Sequence, residues 1–548
     1  MSSSKLAPNL GSNSTKDAGR WLWITGALIA ALTGFLYYRT LHPGVGPYLD
    51  SIQFQMTTLV WGVSHPPGYP LYNWLGALFV HGLPFGNPAF RLNLLSVVGA
   101  VTTVLLIQRV TYRLTRSVTA ATLGALSLAL AVRFWYQATY TELYPVYNAI
   151  VAGTWLVLLV FMETPRERLY FLAVLLYALT FGVNVPAIVL LPMWLWAVLT
   201  TDHKLVLRPR NVAIATAIVV LVALQYLWVP LRAFAVPPAP LCNFCPSDWQ
   251  GVFDFWRGKQ WWHISFGLPS QYWLQRWADS GYQLALQFWP VGVMLGGVGA
   301  LALLRARFRM AVTGLLGLVA SWFFVSTYAV VDWDDFMTPV YVFFAPLIAA
   351  GLQAVWHTLR DAIREWDVRW VPRVCGVGLA AVAVFLILVL RNNYPIADQS
   401  HKTDWHAWAR ELLPQFEEGA WLLTPPTATD GFVQTWVLRY ISWAEDLRPE
   451  LTVVYLADGS FDPPGPAPYY LTWEEAAPRL RDHPVYLIEL NDPRVEDWVL
   501  QPIKRYDGWT IGYRVVGERA TNGEGESGMI PWVDEATWLL IRDELIAP

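Results

Sequence analysis

Asp50 is the first side chain in this sequence placed to do chemistry. It follows the Gly/Pro-rich approach Gly44-Val45-Gly46-Pro47-Tyr48-Leu49, just beyond an apolar stretch at 21–38. A carboxylate held there, close to a membrane surface, can take a proton from an acceptor hydroxyl, which is general-base work. The same residue type also caps helices, and a helix running from Ser51 onward would use Asp50 in that way. Further along the same loop comes Ser64-His65-Pro66-Pro67-Gly68-Tyr69-Pro70-Leu71-Tyr72. Three prolines fix φ and force an extended or turning path, so His65 and Tyr69 are held rigidly. An isolated histidine such as His65 more often hydrogen-bonds its surroundings than handles protons.

A second set of polar residues comes from other segments. Arg133-Phe134-Trp135-Tyr136-Gln137 leads to Thr141-Glu142-Leu143-Tyr144-Pro145, while Arg232 ends one apolar run and Asp332, Asp334 and Asp335 separate two others. Ionisable groups near a bilayer are costly unless paired or solvated, so each reads as a site residue or a structural ion pair. The planar guanidinium of Arg91, Arg133 or Arg232 suits a phosphate, and equally suits Glu142 or one of the aspartates. Adjacent Asp334 and Asp335 would be the place for a hard cation, but two acids are few ligands, and no metal is expected. The C-x-x-C of Cys242 and Cys245 lacks the partner pair that zinc needs. A disulfide across a short loop, or two free thiols, are the readings left.

These residues must be positioned by a membrane-embedded frame. Of 548 residues, 55% are hydrophobic and 14% charged, and 31 are Trp. A soluble chain carries about 25% charged residues, and tryptophan gathers at membrane–water interfaces. The net charge of −3 offers no cationic face for nucleic acid. Residues 1–20 are polar and Ser-rich, and the stretch at 21–38 is too long for a signal-peptide core and lacks a small-residue cleavage site. It reads as an uncleaved first span after a short N-terminal tail.

Further apolar runs predict spans at 92–108, 117–134, 145–162, 169–183, 187–200, 212–230, 284–304, 311–329, 339–357 and 374–391, about eleven in all. The runs at 169–183 and 187–200 are short and parted only by Asn184-Val185-Pro186, as a kinked or re-entrant pair would be. With the N-terminus inside, the inside segments carry eighteen Lys and Arg and the outside loops eight. That bias places the N-terminus in the cytoplasm and the C-terminus outside. The transmembrane domain then covers 21–391 with outside loops at 39–91 and 231–283. Residues 392–548 alternate short apolar strands (421–423, 451–455, 484–488, 509–514) with helical stretches (432–443, 473–481), which predicts a small extracytoplasmic α/β domain.

Gly62-Val63-Ser64-His65-Pro66-Pro67-Gly68-Tyr69-Pro70-Leu71-Tyr72, followed by Leu83-Pro84-Phe85-Gly86-Asn87-Pro88-Ala89-Phe90-Arg91-Leu92-Asn93-Leu94-Leu95-Ser96, resembles one family of multi-spanning proteins. It comprises bacterial members and an animal endoplasmic-reticulum protein O-mannosyltransferase, and is placed among the GT-C glycosyltransferases. Weaker similarity runs through Phe134-Trp135-Tyr136-Gln137, Glu142-Leu143-Tyr144, Pro230-Leu231-Arg232 and Asp398-Gln399-Ser400, and fades in the C-terminal domain. The resemblance implies a GT-C-like helical membrane protein in a bacterial plasma membrane. It implies transfer of a sugar, mannose or another hexose, from a polyprenyl-phosphate donor to a hydroxyl of a protein, glycan or lipid, with no soluble nucleotide sugar and often no metal.

Asp50 stands where the family carries an Asp-x-Gly-Glu motif and would be the catalytic base. Here Ser51-Ile52-Gln53 replaces the rest of the motif, so Gln53 supplies no charge. Arg232, with Arg133 or Arg91, would neutralise the leaving phosphate, and His65, Tyr69, Glu142, Asp334 and Asp335 would line the donor or acceptor pocket. A transporter or flippase of a lipid-linked substrate is the rival reading, and would want charges near the bilayer midplane and two similar halves. A non-catalytic scaffold would leave the rigid proline loop without a purpose.

Overall fold

The structure is a computed structural model. It describes residues 12–46, 49–235, 241–242, 245–330, 332–366, 368–424, 430–457, 470–472, 483–488, 498–503, 512–521 and 527–531. The helices in chain order are α1 (Ser12–Arg39), α2 (Leu49–Leu59), α3 (Pro70–Gly82), α4 (Pro88–Thr115), α5 (Val118–Ala129), α6 (Val132–Ala138) and α7 (Tyr144–Glu163). They continue with α8 (Glu167–Phe181), α9 (Leu191–Val206), α10 (Pro209–Ala223), α11 (Trp228–Ala233), α12 (Trp249–Trp256), α13 (Trp273–Ala306), α14 (Phe308–Thr327), α15 (Thr338–Trp366) and α16 (Val371–Ala397).

Each expected span coincides with a helix, but two are not independent full-length spans. Among the described residues nine helices are long and apolar enough to cross a membrane, or ten if one bent pair counts as a span. That pair is α5 and α6, which meet at 68° where the run at 117–134 was expected to pass straight through. The expected span at 169–183 is α8, whose 15 residues extend only about 22 Å, short of a hydrocarbon core about 30 Å thick. It stops at Gly182, and the Asn184-Val185-Pro186 break becomes a 3-10 turn over Val185–Leu190 that feeds α9.

Local sequence sets the remaining boundaries. Asn87 caps α4 by accepting the Phe90 amide at 2.8 Å, with Pro88 in the first turn where its missing N–H costs nothing. Gly299 and Gly351 let α13 and α15 touch backbone to backbone. A β-carbon on either would lie 1.9 Å from a carbonyl oxygen of the other helix, which is how small residues join helices in lipid. Tyr341 and Phe343 on α15 and Trp155 on α7 are fully buried, with Trp155 and Phe343 packed on each other.

Beyond α16 come α17 (Asp404–Leu412) and a seven-stranded sheet: β1 (Trp421–Thr424), β2 (Thr452–Ala457), β3 (Tyr470–Thr472), β4 (Val485–Leu487), β5 (Trp498–Ile503), β6 (Gly512–Thr521) and β7 (Ser527–Pro531). Strand order is β3-β2-β1-β4-β6-β5, parallel from β3 to β4 and antiparallel beyond, with β7 on β6. α18 (Asp430–Ala444) is the crossover between β1 and β2. The expected strands at 421–423, 451–455 and 484–488 and the helix at 432–443 are all present, while the expected helix at 473–481 lies outside the described residues.

This domain is not a separate bead. Val45, Ile52, Met56 and Ala89 share one hydrophobic cluster with Trp408, Leu412, Trp436, Val437 and Tyr440. The Ala89 amide donates to Tyr440 Oη at 2.8 Å, so α18 forms a floor under α2 and the start of α4.

Candidate active site

The first loop contains two helices, α2 and α3, joined by the proline turn. α2 begins at Leu49, so Asp50 lies inside its first turn and is not the cap of a helix starting at Ser51. The Ser51 hydroxyl donates to Thr141 O at 2.6 Å, and Gln55 Nε2 donates to Thr141 Oγ1 at 3.1 Å and Asn93 Oδ1 at 3.2 Å. These bonds dock α2 on α4 and on the turn before α7, and they hold Asp50 and Glu142 on one rim. The Asp50 side chain is 51% exposed, in a helix whose next eight residues are buried.

The proline turn delivers His65 to Asp50, with Nδ1 4.0 Å from Asp50 Oδ1. The other ring nitrogen, Nε2, is 2.9 Å from Tyr69 Oη. Tyr69 adopts left-handed backbone angles (φ 43°, ψ 52°), which an aromatic residue takes up at a cost of about 1–3 kcal/mol. Asn73 steadies the turn: its Nδ2 donates to Gly68 O at 2.9 Å and its Oδ1 accepts from Ser64 at 3.0 Å. Gly68, at φ 94°, lies so close to Val229 and Phe255 that a β-carbon would sit 3.1 Å from each. Trp261 donates to Pro66 O at 2.8 Å.

A strap from the middle loop closes the other edge. Val63 N donates to Leu241 O at 2.9 Å, and Cys242 and Cys245 next to it form a disulfide. The sequence left this pair open between disulfide and free thiols.

Acids converge on this rim. Glu142 is 8% exposed, and its carboxylate accepts the Leu143 amide at 3.1 Å. Burial, reinforced by the charges of Asp335 and Asp50, pushes its carboxyl well above the ordinary range. Burial also raises Asp332, with Asp50 and Asp334 adding to it. His65 goes the opposite way: burial lowers its pKa and Asp50 only partly restores it, so the ring is neutral. Burial and the Asp50 charge together keep the Tyr69 phenol protonated.

The three arginines part company. Arg133 is 3.4 Å from Asp334 and also grips Asp335, while Gln137 donates to Asp335 Oδ1 at 2.9 Å. Arg91 spends its donors on backbone carbonyls, Val80 O at 2.8 Å and Phe85 O at 2.9 Å, and so ties off the end of α3. Arg232 meets no acid among the described residues. It reaches Val60 O at 3.5 Å, stands over the Trp228 ring and keeps a buried Nε without a partner.

The structure therefore brings together Asp50, His65, Tyr69 and Glu142, and beside them Asp334 and Asp335 with Arg133. Arg232 lies on the neighbouring α11, and Arg91 is taken up structurally. Three further residues belong here as well. Gln53 binds His65, Asp332 adds to the acidic rim, and Arg276 donates to Tyr328 O at 3.2 Å while stacking on Trp333. The sequence names Asp332 with Asp334 and Asp335 and shows Gln53 as a departure from a motif, whereas Arg276 carries no local signal. Among the described residues no group of three or more His, Cys, Asp or Glu is arranged to hold a metal ion.

This architecture is the GT-C-type membrane fold. ArnT from Cupriavidus metallidurans, solved with undecaprenyl phosphate, superposes with a TM-score of 0.57 at 13% identity, covering 90% of this chain and 97% of ArnT. Its apo form gives 0.58 at 12% identity over 91% and 98%. Residues 50–207 match the family model of the protein O-mannosyl-transferase TMEM260 N-terminal domain. The mouse (Mus musculus) protein O-mannosyl-transferase TMEM260 is 33% identical over 147 residues, which is 26% of this chain and about a fifth (21%) of the mouse protein's length. The chain is thus a GT-C-fold membrane protein related through its first loop and early helices to that animal enzyme.

Proposed function

We propose that this protein transfers a sugar from a polyprenyl-phosphate donor to an acceptor hydroxyl, with Asp50 as general base. The observation that carries this reading is the half-exposed Asp50 carboxylate, fixed at the rim between His65 and Glu142. The relatives support it: one is named a protein O-mannosyl-transferase, and another was solved with undecaprenyl phosphate. Asp50 would take the acceptor proton as the oxygen attacks the anomeric carbon. The bond from that carbon to the phosphate oxygen breaks, with inversion, and the lipid phosphate leaves. Arg232, unpaired with any described acid, is the cation left to neutralise the charge that develops.

The proposed reaction face is extracytoplasmic. The cation bias supports it, and so does the Cys242–Cys245 disulfide, because such bonds persist in oxidising compartments. Mannose or another hexose is the proposed sugar, a protein, glycan or lipid the acceptor, and a bacterial plasma membrane the location. Purified protein given labelled polyprenyl-phosphate sugars and an acceptor extract tests this. Asp50→Ala should abolish transfer, and unchanged transfer would refute the assignment.

A further inference from the structure

Gln53 stands where the resembling family places a glutamate, and its side chain is 4% exposed. Its Oε1 contacts two nitrogens of one residue, the backbone N of His65 at 3.3 Å and the ring Nδ1. A backbone N–H only donates, so the atom facing it must be the amide oxygen, which settles the orientation of the amide. An amide oxygen only accepts, so Nδ1 must carry the ring proton. In a neutral imidazole the other nitrogen is then an acceptor. Nε2 lies 2.9 Å from Tyr69 Oη, so the phenol must donate to it.

We propose that Gln53 is a positioning residue that locks His65 as the Nδ1–H tautomer and, through it, aims the Tyr69 hydroxyl. With its proton committed to His65, the phenol oxygen faces the site as an acceptor only, suited to a hydroxyl of the sugar or the acceptor. The consequence for catalysis rests on Asp50 being the base. Among the described residues the titratable groups facing His65 are Asp50 on α2 and Tyr69 at the end of the turn. A glutamate at 53 would add a second carboxylate and favour the imidazolium, whose Nε2–H cannot accept from Tyr69. The neutral amide therefore does what the family's charged residue could not do in this setting.

The test is 15N NMR of histidine-labelled full-length protein, with His65 assigned by difference from His65→Asn, together with transfer assays across pH. Wild type should show His65 as the Nδ1–H tautomer. Gln53→Leu should lose that signature and lower kcat by roughly 10- to 100-fold with little change in donor KM. Gln53→Glu should keep the acceptor and turn over at high pH, with an acidic limb moved upward relative to wild type. An Nε2–H signal in wild type, or a Gln53→Glu profile superposing on wild type, would overturn the lock. Asp50→Ala separates the two ideas. If it leaves transfer intact, the base assignment fails while the tautomer result stands or falls alone.

Discussion

Arg133 Nη2 lies 3.4 Å from Asp334 Oδ2. The same guanidinium grips Asp335, so the cation at the centre of the acidic rim is already neutralised. A lipid phosphate would have to displace two carboxylates to reach it, which makes Arg133 a poor anion receptor and a good brace between α6 and the 3-10 turn ahead of α15.

Arg232 and Arg91 should therefore behave differently. Arg232→Gln is expected to raise the donor KM by about 10-fold or more, the worth of one hydrogen bond to a charged group. Arg91→Gln should leave KM alone and lower the melting temperature, because it frees the Val80 and Phe85 carbonyls. Steady-state kinetics and thermal unfolding in detergent decide between them. A reversed pattern would move the phosphate site to the end of α3.

Tyr440→Phe removes the partner of the Ala89 amide and leaves that donor buried. The expected loss is about 1–3 kcal/mol of stability. Limited proteolysis should release the C-terminal domain more readily, since α18 and α2 share this contact and one hydrophobic cluster. Unchanged proteolysis would show that apolar packing alone holds the floor.

His42 is buried between the first loop and α17, and burial pushes its pKa down to about 4. A depressed folded value means the unfolded chain binds the proton first as pH falls. Its contribution to stability is therefore present above the ordinary 6.5 and is lost as pH drops through about 4. Melting temperatures recorded from pH 7 to pH 4 should fall, and fall less steeply in His42→Gln.

Glu142 carries the opposite sign. Its folded pKa is raised, so the stability it contributes is present below its ordinary 4.5 and drains away as pH rises through the folded value. Glu142→Gln should melt above wild type at pH 8, with the gap closing towards pH 4. A gap that widens on acidification would mean that the carboxylate is ionised and paired.

Much of this was legible because it rests on local rules. Span-length apolar runs placed the helices, and the proline turn marked His65 and Tyr69. What was hidden depends on partners distant in the chain. Nothing local shows that the run at 117–134 bends by 68° between α5 and α6, or that Arg91 would find two carbonyls. Gln53 was visible only as a departure from a motif. Its role needs the His65 ring beside it, a fact of tertiary geometry.

The long-range clasp of the site also orders its assembly. Asp50 and His65 are synthesised early, yet the strand contact at Val63 waits for Leu241, the Pro66 carbonyl for Trp261, and the Ala89 amide for Tyr440, 351 residues downstream. A nascent or truncated chain that stops at residue 207 carries the loop of Asp50 and His65 without its strap or floor. The geometry around Asp50 and His65 is thus a late product of translation, and half-made molecules in the membrane lack the walls that enclose it.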